Sequence, residues 1–557
     1  MARFVFGSLG FDAPGAEITA TRIDEVIRVL EFAERESKAG AWVAVMLSYE
    51  AAPAFDPVLA VHQGSDFPLA WAGAFTEASD ISTQAATIDS NPWAPRVSRD
   101  EYDAAVMRIR ELIAAGDTYQ VNYSFPLTSI FKGDTYAWYR SLCLAQGAQY
   151  SAFLDLDRFK VLCVSPELFF ERRGDRVITR PMKGTIHRGR WPAEDRELAE
   201  WLQQSAKDRA ENVMIVDLLR NDLGKVSVPG SVRVSSLFDI ERFETVWQMT
   251  STVESTLKDS VNLVELMSAL FPCGSITGAP KIRTMEIIRK LERFPRGPYT
   301  GTIGLLEPGG DCVFNVAIRT VVVDTESNQA TFGVGGGVTI DSTAEREYEE
   351  CLVKSRFLHT SPVEFQLIES MLLEDGEYFL LARHLERLRG SAEYFGFRFP
   401  EEEINKALPR IATGAFKVRL VLWKDGQIQT QISRIENADL VRHIGLASSP
   451  VDSSDRFLYH KTTLRDYQSE DVIFWNERGE VTESRLANLV VSIDVQLYTP
   501  PINSGLLPGT FREQLLAEGK IKERVITVEE FQNAKEFFLI NSVRKWIRVH
   551  LRSSAAQ

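Results

Sequence analysis

Apolar side chains recur at helical spacing from residue 99 onward: Tyr102, Val106, Ile109 and Ile113 follow Ser98, a cap candidate, and the pattern stops at Gly116. The spacing predicts an amphipathic helix. β-Branched and aromatic residues dominate 118–131, and 158–184 alternates apolar runs with a Pro break and a Gly-Asp turn, which predicts antiparallel hairpins. One long helix is predicted over 197–224. After 296 the segments YTGTIGLL, VFNVAIRTVVVD and QATFGVGGGVTI return to strand character, and 345–358 is helical again. The first half is therefore expected to be α+β with a large antiparallel sheet component. HTSPVE, at 359–364, is a short polar break with a proline, after which a fresh pattern opens. Domains are predicted at 1–358 and 365–557, with 359–364 as linker, and the second has α/β character. The final RSSAAQ is expected to fray.

At 557 residues the chain exceeds what one core organises, and 44% apolar with 25% charged residues excludes wholesale disorder. Lys and Arg number 63 against 77 Asp and Glu, so the net charge of −14 argues against a protein that coats nucleic acid. Cys143, Cys163, Cys273, Cys312 and Cys351 form no CxxC pair and leave an odd count, which fits free thiols in a reducing compartment. No signal-peptide pattern and no run of about 18 apolar residues is found. A cytoplasmic protein with no membrane partner is expected.

Several segments gather polar and glycine residues beyond what packing favours. Glu167 follows an apolar run, and Lys183 lies between Pro-Met and Gly-Thr. A surface turn is the ordinary place for a lysine, but Gly184 would let backbone approach a ligand, and a desolvated lysine is nucleophilic. Asp208 and Glu211 stand three residues apart on one helix face, as do Glu347 and Glu350, with Lys354 a turn further. Two solvated acidic faces are the plain reading; two carboxylate pairs holding one Mg²⁺ are the functional one. FPCGSITGAPKIRTMEII (271–288) is a glycine-punctuated loop entering a helix near Lys281, and Arg319 and glycines 335–337 add anion-compatible positions.

GDTYQVNYS, SPELFFER, RPMKGT, KDRAENVMIVDLLRNDLG, FPCGSITGAPKIRTMEII, PYTGTIG, NVAIRT and GVGGGVTIDSTAEREYEECLVK follow one another across 116–354. Together they resemble the chorismate-utilising enzymes. The resemblance implies an antiparallel-sheet sandwich with surrounding helices. Lys183 stands where the anthranilate-forming branch has Ala and the aminodeoxychorismate-forming branch has Lys. Gln120 replaces the water-activating lysine of isochorismate-forming relatives. It further implies that Lys183 attacks C2 of chorismate, with Glu167 as general acid/base. Glu211 and Glu350 would hold Mg²⁺, assisted by Asp208 and Glu347. Thr185, Tyr299, Arg319, Gly335, Gly337, Lys354 and Lys281 would bind substrate. Gln248 departs from the family, where many relatives have histidine. No cysteine lies in a GxCxG elbow, so ammonia is expected from solution or from a separate glutamine amidotransferase subunit. Anthranilate synthase component I is the alternative for this domain.

HLERLRGSAEYFGF, YHKTTLRDYQ, GEVTESRLANLVV, GLLPGTFRE and FFLINSVRKW recur in order over 384–546. They resemble the fold-type IV pyridoxal-phosphate enzymes, which include 4-amino-4-deoxychorismate lyase. By this resemblance Lys461 carries pyridoxal 5′-phosphate, Glu483 faces its pyridine nitrogen, and Arg387, Thr510, Phe511, Asn541 and Ser542 hold its phosphate. A lyase completing 4-aminobenzoate synthesis is expected, with a small-amino-acid aminotransferase or a silent dimerisation module as alternatives. A homodimer through this domain is expected.

Overall fold

The computed structural model describes residues 3–81, 92–359, 363–435, 442–465 and 472–552. Residues 360–362 of the expected linker and 553–557 of the expected frayed tail lie outside that set. The chain divides into two units, the first Met1–His187 with Ala199–Pro362, the second Arg188–Leu198 with Val363–Gln557.

The first unit holds two ten-stranded antiparallel sheets. Its central strands, such as Trp42–Leu47 and Ala70–Phe75, read as unbroken apolar runs because both faces are covered. In Trp42–Leu47, Val43, Val45 and Leu47 pack against the helices Ile23–Lys38, Ala206–Val226 and Leu263–Leu270, while Ala44 and Met46 face the layer between the sheets. In Phe159–Ser165 of the other sheet, Val161 and Cys163 fill that same inner layer. Leu162 and Val164 meet an outer helical layer containing Arg99–Ala114, Thr135–Gln146, Lys281–Leu291 and Ala344–Ser355.

Helix Arg99–Ala114 starts as its sequence predicts: Ser98 Oγ accepts from the Glu101 N–H at 3.3 Å, and the Glu101 carboxylate accepts from the Ser98 N–H at 2.9 Å. The single helix expected over 197–224 is instead two, Pro192–Gln204 and Ala206–Val226. Ser205 separates them, its hydroxyl accepting from the Asp208 N–H and restarting the helix with a side-chain cap.

In the second unit, a four-stranded antiparallel sheet includes Leu367–Glu374 and Ala415–Leu422, packed against helix Leu381–Phe395. An eight-stranded mixed sheet includes the parallel neighbours Arg442–Leu446 and Lys545–Leu551. The segment around Lys461 runs beside the small sheet, where the Ile368 N–H donates to the Lys461 carbonyl at 2.9 Å.

A boundary at 358–364 alone misses the contribution of Arg188–Leu198 to this unit. There Arg188 pairs with Asp195 at 2.6 Å with both side chains buried, and it donates to the Tyr394 carbonyl at 3.1 Å. The Tyr394 hydroxyl donates to the Gly189 carbonyl at 2.7 Å. Among the described residues no helix is long and apolar enough to cross a membrane.

Candidate active sites

Lys183 lies on strand Met182–His187 at the edge of its sheet, where the register with Val246–Thr256 shifts between Met182 and Thr185. A bulge of this kind re-aims a side chain. Gly184 permits it, with φ +92° and no room for a Cβ, which would stand 2.9 Å from the Asp208 Cβ. Burial lowers the Lys183 amine below its ordinary value, and the nearby Lys354 charge adds to this, against the pull of Glu211, Glu167 and Glu350.

Glu167 lies just before strand Leu168–Arg173 and is buried. Burial raises its carboxyl to about 7, although the Ser275 hydroxyl donates to Oε1 at 2.7 Å and Lys183 is near. Burial thus shifts the acid and the amine each toward its neutral form, and the two lie within electrostatic reach of each other. Ser275 was missed as a partner; the signal was a short polar residue inside the glycine-punctuated loop.

The carboxylates of the two helices come within electrostatic reach of each other. Burial raises Glu211, with Asp208 and Glu347 repelling it, and burial raises Glu347, with Glu350 repelling it. Lys207 stands 3.8 Å from Glu211, and Lys354 2.8 Å from Glu350. This all-oxygen, mutually repelling set suits a hard cation. The expected four-carboxylate arrangement is not preformed, however: among the described residues no three His, Cys, Asp or Glu side chains are arranged to hold a metal. The two lysines occupy the charge such an ion would supply.

Arg319 has φ +51°, and its Nη1 donates to Gln146 Oε1. Burial lowers its pKa to about 10, and among the described residues no carboxylate pairs with it. It is a largely enclosed cation short of an anion. Lys354 donates to the Gly335 carbonyl at 2.9 Å, and Tyr299 is buried with its ring where a Cβ on Gly333 would stand. Thr185 is exposed and donates to Gln248 Oε1 at 2.8 Å, while Gln248 Nε2 donates to the Gly184 carbonyl at 2.8 Å. Gln248 thus braces the Lys183 bulge.

Lys281 is not brought to this group. Its ammonium donates to the buried Asp222 carboxylate at 2.9 Å and to the Leu270 carbonyl at 3.1 Å. An ammonium so committed holds the loop to helix Ala206–Val226. Lys281→Met is expected to lower the unfolding free energy by on the order of 2–3 kcal/mol, because it strands a buried charge that, among the described residues, keeps Lys225 alone. Denaturant titration checks this, and an unchanged midpoint would return Lys281 to the ligand-binding candidates.

In the second unit, burial brings the Lys461 amine down to about 7, with Arg387 and Arg465 nearby adding to the shift and Glu369 and Glu483 opposing it. Arg387 donates to Glu369 through Nε at 2.9 Å and Nη2 at 2.7 Å, and to the Pro508 carbonyl at 3.0 Å. His384 meets the same carboxylate at 2.7 Å. Glu483 is buried, bonded by Arg465, by Asn488 Nδ2 at 2.9 Å and by the Leu507 N–H at 3.0 Å.

Thr510 opens helix Thr510–Ala517 with no side-chain cap, and Phe511 packs beneath it. The first-turn N–H groups therefore suit a phosphate. Asn541 is turned elsewhere, its Oδ1 accepting from the Val543 and Arg544 N–H groups. Ser542 donates to the Ser370 carbonyl at 3.3 Å. A lysine poised near neutrality between an arginine–carboxylate network and a buried glutamate fits pyridoxal phosphate. Sequence reasoning missed Glu369, His384, Arg465 and Asn488, which meet these groups only through long-range packing.

The model of the chorismate binding enzyme family matches residues 11–360. The chain belongs to that family. The amino-transferase class IV model matches residues 366–551. Aminodeoxychorismate synthase component 1 of Salmonella typhimurium is 42% identical over 271 residues, covering 48% of this chain and 59% of that protein. The protein of the same name from Bacillus subtilis is 42% identical over 263 residues, covering 47% and 56%. Anthranilate synthase component 1 1 of Haloarcula marismortui is 38% identical over 344 residues, covering 60% and 68%. The match to the two bacterial synthases thus spans somewhat over half their length. The crystal structure of anthranilate synthase component I from Streptococcus pneumoniae TIGR4 shares the fold, with TM-score 0.56 at 24% identity over 64% of this chain and 92% of that one. Sheets and helices of this unit bring together side chains that are distant in sequence, as with Ser275 and Glu167.

Proposed function

We propose that this member of the chorismate binding enzyme family aminates chorismate at C4 and then releases pyruvate, giving 4-aminobenzoate. The observation that carries the first step is the pairing of a Lys183 amine lowered by burial with a Glu167 carboxyl raised to about 7. Both shifts favour the forms the step needs, the neutral amine as nucleophile and the protonated carboxyl as acid. The Lys183 nitrogen bonds to C2, the ring double bonds shift, and the C4–oxygen bond breaks. Glu167 supplies the proton with which the hydroxyl leaves as water. Ammonia then bonds to C4 while the C2–nitrogen bond breaks, and the spare proton returns to Glu167. Arg319 and Tyr299 hold substrate carboxylates. Mg²⁺, held by Glu211 and Glu350 with Asp208 and Glu347, would neutralise a substrate carboxylate. The names of the bacterial relatives support this product, and ammonia would come from solution or from a separate amidotransferase subunit.

In the second unit pyridoxal phosphate, held through Lys461, Arg387 and Glu483, would supply an electron sink. Lys461 takes the C4 proton, the C3–oxygen bond breaks, and the enolpyruvyl group leaves as pyruvate. A homodimer through this unit and a cytoplasmic location complete the proposal.

The deciding experiment supplies the full-length protein with chorismate, Mg²⁺ and ammonium, with and without pyridoxal phosphate, and resolves the products by mass. 4-Aminobenzoate with pyruvate is expected. 2-Aminobenzoate would favour the anthranilate branch, to which the Haloarcula relative points.

The pH dependence follows from the two shifts. Lys183 must be neutral, so rate rises with pH through its lowered pKa; Glu167 must be protonated, so rate falls as pH rises through about 7. Glu167→Gln should lose the falling limb along with about 10²- to 10⁴-fold in kcat. Retention of that limb in the variant would assign it to another group.

A further inference from the structure

Gln120 opens the strand Gln120–Ile130, and its side chain is fully buried. Among the described residues neither its Oε1 nor its Nε2 has a hydrogen-bond partner. A buried carboxamide unpaired at both ends is costly, and few such groups persist in native folds without a reason.

Its position supplies one. A Cβ on Gly337 would stand 2.0 Å from Gln120 Nε2 and 3.1 Å from Lys183 Nζ. The amide and the amine therefore converge on a single point that the fold leaves without a side chain. Gly337 is not demanded there by backbone conformation: it lies in a regular antiparallel ladder opposite Asn122, outside the left-handed region. What it provides is space. Among the described residues no hydrogen bond holds the Lys183 amine, although several charges surround it.

Taking Lys183 as the nucleophile of the proposed reaction, we infer that Gln120 is its positioning residue. A half-turn of the carboxamide exchanges its two ends without steric change. With the oxygen toward Lys183, it accepts one N–H of the neutral amine and turns the lone pair toward the substrate carbon. An uncharged acceptor suits this task. A carboxylate in its place would favour the ammonium form, which has no lone pair to give.

The test uses the full-length protein. In one experiment, chorismate and Mg²⁺ are added without ammonia, and the covalent adduct is followed by whole-protein mass. In the other, steady-state pH profiles are recorded with ammonium. Wild type should form an adduct that Lys183→Ala does not. Gln120→Met, close in shape, should slow adduct formation about 10- to 100-fold with little change in KM. Gln120→Glu should move the rising limb of the kcat profile upward by about one unit or more and recover rate at high pH.

A Met variant that forms adduct at the wild-type rate, or that raises KM alone, overturns the positioning role, as does an unmoved limb in the Glu variant. Product formed by wild type with no adduct at all would overturn the nucleophile itself, and the positioning role with it.

Discussion

Lys183→Ala is expected to abolish C4 amination, with a loss on the order of 10³-fold or more, as removal of a covalent nucleophile does in other enzymes. Among the described residues no second amine stands ready to replace it. Lys354, which shares its surroundings, is tied to Glu350 at 2.8 Å and to the Gly335 carbonyl at 2.9 Å. Lys207 is paired toward Glu211 on the helix face. The fold should survive the change, because among the described residues no hydrogen bond ends on the Lys183 amine and its edge-strand bulge is braced by Gln248 and Gly184. Chromatography of chorismate consumption and circular dichroism on the same preparation read both statements. A folded variant that still makes 4-amino-4-deoxychorismate at the wild-type rate would sink the covalent route.

Lys461→Ala should separate the two halves of the reaction. Pyruvate release should fall below detection while 4-amino-4-deoxychorismate accumulates, since the first unit carries Lys183 and its neighbours independently of the second. A second readout is the visible absorbance that the wild-type protein gains with added pyridoxal phosphate, which this variant should not gain. With the amine brought down to about 7, cofactor capture should speed up as pH rises through that value, because only the neutral lysine condenses with a carbonyl. Identical spectra for the wild type and the variant would leave the second unit without its proposed chemistry, and the silent-module alternative would take its place.

Local signals carried far in this chain. The Ser98 and Glu101 capping box and the every-third-or-fourth apolar spacing specify helix Arg99–Ala114, since both act within a turn or two of backbone. The strand runs at 158–184 were legible for the same reason, whereas the motifs that carry Lys183, Glu167, Arg319 and Lys461 were legible through resemblance to known families. The split at Ser205 was not, because Ser is neutral enough in a helix for the apolar pattern to run through it. Only the hydroxyl's contact with the Asp208 N–H reveals the restart.

Lys281 shows the limit from the other side. Its glycine-rich loop reads as an anion site, yet its charge is consumed by Asp222, 59 residues away in sequence. Ser275 on Glu167, Arg465 on Glu483 and the placing of Arg188–Leu198 with the second unit share that character. The sequence by itself determined which residue types are present and which local elements they form, because propensity, capping and periodicity are short-range. Which charges are paired, which amine is desolvated and which carboxamide is left unpaired were decided by tertiary structure alone. Burial and Coulomb energy depend on distance in space, which the order of residues along the chain does not specify.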